Sequence, residues 1–162
     1  MPVVIEPPRL RLCHWAEEDV EPYFRTCNSL EVMEHLGGPR SKPAVKREVK
    51  DFIDQQEQYG FTLWVLELRE NGEFLGFCGL DQLDYLDEPE THDPRCTVKN
   101  ELELGFRIRA DYWKRGYATE GGEATMRFAF GSLNAERVVA RAAKDNIGSR
   151  KTLEKLGMRH NF

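Results

Sequence analysis

Between Trp113 and Ala118 the chain reads Trp-Lys-Arg-Gly-Tyr-Ala, a combination suited to holding an anion. A strand pattern ends near Arg109 and a helical pattern begins near Thr119, so Arg115-Gly116-Tyr117-Ala118 leads straight into a helix N-terminus. Such termini carry backbone N–H groups with no intrahelical partner and a partial positive charge, and therefore attract phosphate. Gly116 and the small Ala118 let a ligand approach the backbone. Lys114 and Arg115 are poorly placed beside a positive helix end unless an anion sits among them. On the turn alone, an ordinary strand-to-helix connection with surface bases explains the residues equally well. Two other phosphate loops find no support. Gly-x-Gly-x-x-Gly is absent, Gly121-Gly122 fall inside the helical pattern, and no P-loop ending in Gly-Lys-Ser/Thr occurs.

Other reactive side chains do not cluster. Cys13, Cys27, Cys78 and Cys96 are widely spaced and form no Cys-x-x-Cys pair, so they read as reduced thiols, several of them in the core. His14, His35, His92 and His160 are scattered, with no metal or nucleophile grouping. No metal is expected.

The elements that position the turn follow from periodicity. Arg9 to Trp15 alternates as a half-buried strand, and Glu17-Glu18-Asp19 opens a helix through Tyr23, Phe24 and Cys27. A short helix around Val32, Met33 and Leu36 stops at Gly37-Gly38-Pro39, and a longer one runs from Ser41-x-Pro43 to Tyr59. Phe61 to Leu68 and Phe74 to Leu80 form a hairpin about Asn71-Gly72. From Asp81 to Asn100 the composition shifts to Asp, Glu, Pro and Thr, which reads as a long exposed loop. Glu101 to Arg109 alternates again, with Leu102, Leu104, Phe106 and Ile108 on one face. A helix from about Thr119 to Phe130, a strand over Glu136 to Ala142, and a last helix from Asn146 to Leu156 complete the pattern. The class is α/β (α+β), around one mostly antiparallel sheet.

Composition bounds the function. A chain of 162 residues, 40% of them hydrophobic, matches one domain with a real core, so residues 1–162 are expected to form a single domain. With 23 basic and 28 acidic residues the net charge is -5, which argues against general nucleic-acid binding. The N-terminus lacks a basic signal region, and no apolar stretch is long enough to span a bilayer, so a soluble, cytoplasmic protein with no membrane partner is expected.

The turn, the preceding Glu103-Leu104-Gly105-Phe106-Arg107-Ile108 and the later Asn146-x-x-Ser149 to Gly157-Met158 resemble the GNAT acetyltransferase superfamily. Within it they are most similar to the RimJ/RimL-like branch of ribosomal-protein N-terminal acetyltransferases. Arg9-Leu10-Arg11-Leu12, Val32-Met33 to Gly37-Gly38-Pro39, and Gly76 to Leu80 carry the resemblance over nearly the whole chain. It implies a mixed, mostly antiparallel sheet splayed into a V and flanked by helices, with acetyl-CoA as donor in the cleft. The family's Gln/Arg-x-x-Gly-x-Gly/Ala maps onto 113 to 118, with Trp113 in its first position. Lys114 and the backbone amides of Arg115, Gly116, Tyr117, Ala118 and Thr119 would then cradle the pyrophosphate. A bulge at Phe106, Arg107 and Ile108 would pair with the pantetheine arm, and Asn146 and Ser149 would face it. The family normally continues past this segment into a last strand paired near the acceptor site, whereas the sequence here ends at Phe162, so a truncated chain, a lost tail and a partner that completes the sheet all stay open. The exposed edge left behind would favour a homodimer or strand exchange.

Acetylation of an amine, either a protein N-terminus or a small molecule, requires a neutral amine, a donor to the thioester oxygen and a proton for the thiolate. Glu103 is the candidate base, with Glu101 on the same face; a solvated strand carboxylate is the other reading. Ser149 either protonates the thiolate or bonds the cofactor or its own helix. The superfamily's frequent tyrosine acid is absent, since position 153 is Leu and no tyrosine follows Tyr117. A non-catalytic acyl-CoA sensor is the alternative function.

Overall fold

Period-two alternation over Leu10–Cys13 and Glu101–Ile108 and a continuously buried run over 74–80 build the sheet. The computed structural model describes residues 3–82 and 101–160. Val3–Ile5 (β1), Leu10–Cys13 (β2), Leu63–Leu68 (β3), Phe74–Gln82 (β4), Glu101–Ile108 (β5) and Arg137–Val139 (β6) pair in chain order as one six-stranded sheet. Every pairing is antiparallel except β5 with β6, which is parallel. This is the expected mixed α/β class.

Among the described residues, five helices cover the two faces. Val20–Thr26 (α1), Leu30–Met33 (α2) and Lys42–Tyr59 (α3) precede the hairpin; Tyr117–Gly131 (α4) and Ile147–Lys155 (α5) flank β6. Ser41 accepts the Ala44 N–H at 3.3 Å to start α3, Pro43 sits in its first turn, and Gly60 closes it in a left-handed conformation. Val45, Val49 and Phe52 line the buried stripe of α3 against Trp15, Tyr23 and Phe77. The opposite face packs Leu10, Leu12, Trp64, Leu66, Cys78, Leu80 and Leu104 under Ala129 of α4, with Leu153 and Leu156 of α5 alongside. Gly121 and Gly122 lie buried within α4, where added methyl groups would meet Cys78 and Leu156.

Several boundaries differ from the sequence expectation. β1 has three residues, too few to show a period, and exists because β2 offers it a partner. The strand expected over Glu136 to Ala142 contracts to three residues, because β6 follows β5 only from Glu101 to Glu103. α4 begins at Tyr117 rather than Thr119, because Gly116 takes the cap position at φ 81°. Of the expected loop from Asp81, the first two residues belong to β4 and 83–100 lie outside the described residues.

The expected bulge at Phe106 to Ile108 is corrected by the register. β4 and β5 pair without interruption from Leu102 to Ile108, and the irregularity lies in β4, where Leu66 opposes Gly76 and Glu67 opposes Phe74. Leu75 is therefore the extra residue. Gly76 makes this geometry accessible: its φ is 141°, and a Cβ there would fall 1.9 Å from the Arg107 carbonyl oxygen. Phe106, Arg107 and Ile108 keep an ordinary ladder on that side.

Candidate functional site

Parting of β5 from β6 replaces the bulge as the source of free backbone groups. β6 ends at Val139, opposite Glu103, so the β5 edge from Leu104 to Ile108 has no strand beside it on that side among the described residues. Arg109 donates its N–H to the Leu75 carbonyl at 2.9 Å. Ladder alternation then turns the main-chain groups of Arg107 toward β4 and those of Phe106 and Ile108 toward the opening. The Ile108 carbonyl accepts the Trp113 indole N–H at 2.7 Å, which folds Trp113 back onto the strand end with 43% of the residue exposed.

The turn itself is built as a cradle. A short 3-10 turn over Ala110–Tyr112 leads to Lys114 and Gly116, both left-handed, at φ 62° and 81°. Glu120 is the first residue of α4 whose N–H is used within the helix, bonding the Gly116 carbonyl at 3.0 Å. The N–H groups of Tyr117, Ala118 and Thr119 have no hydrogen-bond partner among the described residues. Lys114 and Arg115 stand exposed beside them, and the Arg115 guanidinium lies 4.9 Å from the Tyr112 ring centre. Arg109 ties the turn to the hairpin through Asp111 at 2.7 Å, Glu73 at 3.1 Å and the Phe74 carbonyl at 3.2 Å. These groups fit a diphosphate: free N–H donors converge where a glycine leaves the backbone open.

The remaining candidates divide. Glu103 is 18% exposed and accepts two hydrogen bonds from Arg141, at 3.1 and 3.0 Å. Across the ladder its neighbour is Asp81, which accepts from Gln55 at 2.8 Å, a second carboxylate that only the strand register brings beside it. Glu101 lies 3.9 Å from Arg137 and is nearly covered. Asn146 caps α5 by accepting the Ser149 N–H at 3.2 Å, so its side-chain oxygen already has a structural task. The Ser149 hydroxyl is half-buried and has no hydrogen-bond partner among the described residues. The side chain of Arg107 turns away from the opening and stacks over Phe77 at 5.0 Å. Its Nη1 donates to the Tyr23 hydroxyl at 2.5 Å and lies 3.5 Å from Glu48. Glu48 also accepts from Tyr23 and Arg40, completing a half-buried network between β5, α1 and α3.

Thiol chemistry is not available to the described cysteines. Burial pushes Cys13 and Cys78 up to about 12 and Cys27 up to about 11, so all three stay protonated and inert near neutrality. Burial also raises the Tyr23 phenol, against the opposing pull of Arg107. Among the described residues no group of His, Cys, Asp and Glu could hold a metal, and no helix is long and apolar enough to cross a membrane. A groove of about 730 Å³ runs along α4 from Gly116 and Thr119 to Ser132, walled by Val4 and Ile5. It touches the cradle but none of Glu103, Phe106 and Ser149.

The last strands of the mixed sheet part beside a helix N-terminus whose first N–H groups are free. The chain belongs to the GNAT acetyltransferase family, since residues 9–159 match the model described as "Acetyltransferase (GNAT) domain". Among curated proteins it is 27% identical to the uncharacterized protein YkkB of Bacillus subtilis over 94% of this chain and 83% of that one. It is 32% identical to FsC-acetyl coenzyme A-N(2)-transacetylase of Aspergillus fumigatus, over 62% of this chain and 40% of that enzyme. An acetyltransferase from Agrobacterium tumefaciens superposes with a TM-score of 0.77 and 25% identity, covering 97% of this chain and 83% of that one.

Proposed function

We propose that this chain is an acetyl-CoA-dependent N-acetyltransferase of the RimJ/RimL-like branch, moving the acetyl group directly to a primary amine. The acceptor is a protein N-terminus or a small-molecule amine, and residues 1–162 act as one domain. The observation that carries the reading is the set of unpartnered N–H groups at Tyr117, Ala118 and Thr119, behind left-handed Gly116 and next to the open edge of β5. Fold likeness supports the branch: a structure described as RimL, a ribosomal L7/L12 alpha-N-protein acetyltransferase, superposes with a TM-score of 0.74 at 14% identity over 96% of this chain and 80% of that one. Another described RimL structure holds coenzyme A.

In this reading the α4 N-terminus with Lys114 and Arg115 holds the pyrophosphate, and the main chain of Phe106 and Ile108 lines the acyl-bearing arm. The Phe106 N–H donates to the thioester oxygen as negative charge develops there. The amine nitrogen attacks the carbonyl carbon, the C–N bond forms, and the C–S bond breaks. Glu103 accepts the amine proton directly or through water, using carboxylate lone pairs that Arg141 leaves open. The departing thiolate takes a proton from solvent, relayed through the Ser149 hydroxyl, which regains one in the same step, and Glu103 returns its proton to solvent, giving amide and free thiol. Titration with acetyl-CoA, followed by a thiol-release assay across amines and N-terminal peptides, tests the proposal. Binding with no release on any acceptor would sink the enzyme reading, and absence of binding would sink the donor as well.

A further inference from the structure

We infer that Arg9, immediately before β2 and more than a hundred residues from the turn, is the residue that holds the cradle in its donor-binding shape. The inference rests on the donor assignment above. Among the described residues, its side chain bonds and stacks only within residues 115–120. The guanidinium Nη1 donates to the Arg115 carbonyl at 3.1 Å, and Nε donates to Glu120 at 2.8 Å. Its own backbone N–H donates to the other Glu120 oxygen at 2.9 Å, and the guanidinium lies 4.5 Å from the centre of the Tyr117 ring. Nη2 comes within 3.4 Å of the point where a Cβ on Gly116 would stand. The anchor end is fixed as well, because the Arg9 carbonyl accepts the Arg69 N–H at 3.0 Å.

These contacts address the weak points of the turn. Lys114 is a side-chain-bearing residue in the left-handed region, so this conformation persists only where its surroundings over-determine it. Arg115 sits between the two left-handed residues, and Arg9 gives its carbonyl a charged donor. Charge placement matters equally. Glu120 lies in the first turn of α4, where an acid suits the helix end but would repel a diphosphate bound there. The Arg9 guanidinium and backbone engage both Glu120 oxygens on the β2 side, so the pair adds little net charge to the cradle. A released Glu120 carboxylate could instead compete for the free N–H groups.

The Arg9 side chain is 48% exposed, and an ion pair at such a site contributes little to global stability. Its effect is therefore expected in donor binding. Calorimetric titration with coenzyme A and steady-state kinetics on Arg9→Ala, Arg9→Lys and Arg9→Ala/Glu120→Gln test this. Arg9→Ala should weaken coenzyme A roughly tenfold and raise KM for acetyl-CoA equally, with kcat at saturation within about twofold, while Arg9→Lys recovers only part. The double variant should bind better than Arg9→Ala, because the loosened carboxylate is gone. Unchanged affinity in both single variants, or a double variant weaker than Arg9→Ala, overturns the inference. Should Arg9→Ala fail to fold, Arg9→Lys decides by the same affinity criterion. Failure of the unaltered protein to bind coenzyme A overturns the donor assignment itself, a separate outcome.

Discussion

Glu103 and Arg141 meet in a two-pronged ion pair, Nε to Oε1 at 3.1 Å and Nη2 to Oε2 at 3.0 Å, at the place where β5 and β6 part. The pair fixes the orientation of the carboxylate while leaving it room to accept further hydrogen bonds. Glu103→Gln should lower kcat by about a hundredfold near pH 7, the lower end of the usual contribution of a positioned base. The deficit should shrink as pH rises toward the pKa of the amine, because the acceptor then arrives neutral. A pH–rate profile with one amine checks this, and a deficit constant from pH 6 to 10 would remove Glu103 from proton transfer.

Gly116→Glu should abolish coenzyme A binding, since it forces a side chain onto a left-handed residue and sets a negative charge beside the phosphates. Gly116→Ala should weaken binding by about tenfold and cost roughly 1 kcal/mol of stability. Calorimetry and thermal melts separate the two effects.

Gly76→Ala tests the bulge in β4. Its methyl carbon would fall 1.9 Å from the Arg107 carbonyl oxygen, and the backbone lies on that side, so no side-chain rotation relieves the clash. A loss of about 3 kcal/mol or more in urea unfolding is expected. A loss below about 1 kcal/mol would mean that β4 and β5 separate readily.

The Tyr23–Glu48–Arg107–Arg40 network predicts an ordered series. Glu48→Ala strips the carboxylate from two guanidinium groups and should cost about 2 to 3 kcal/mol, less than a fully buried pair because Arg40 is partly solvated. Tyr23→Phe removes one hydroxyl and should cost about 1 to 2 kcal/mol. Chemical denaturation of both variants tests the ranking.

The buried thiols set an alkaline limit. Their folded values of about 11 to 12 lie above the roughly 8.5 of a free cysteine, so the unfolded state loses protons first as pH rises. The stability this contributes is complete below about pH 8.5 and disappears through about pH 12. Peptide mapping after alkylation at pH 8 should find Cys13, Cys27 and Cys78 unmodified in the native protein and modified in denaturant. Rapid native labelling of Cys78 would show that the sheet opens readily.

Legibility followed the range of the forces involved. The α3 cap at Ser41, the Gly60 stop and the alternation of β2, β3 and β5 are written in residues a few positions apart, and each appears where local chemistry places it. β1 was not legible, because three residues carry no period and its stability comes from β2. The expected bulge moved to β4 because it depends on which strand has the glycine opposite the Arg107 carbonyl, a fact of register. Asn146 appeared free to face a ligand, but the first turn of α5 takes its oxygen.

The sequence by itself determined the elements, the glycine-led turn into α4 and the family resemblance, since these rest on local conformational preference and on residue types in order. Only the tertiary structure decided what surrounds that turn. Arg9 reaches Glu120 across 111 positions, Arg141 reaches Glu103 across 38, and Arg107 faces Tyr23 instead of the opening. Charges far apart in the chain become neighbours only when the sheet has chosen its order and each strand its face, and no local pattern records that choice.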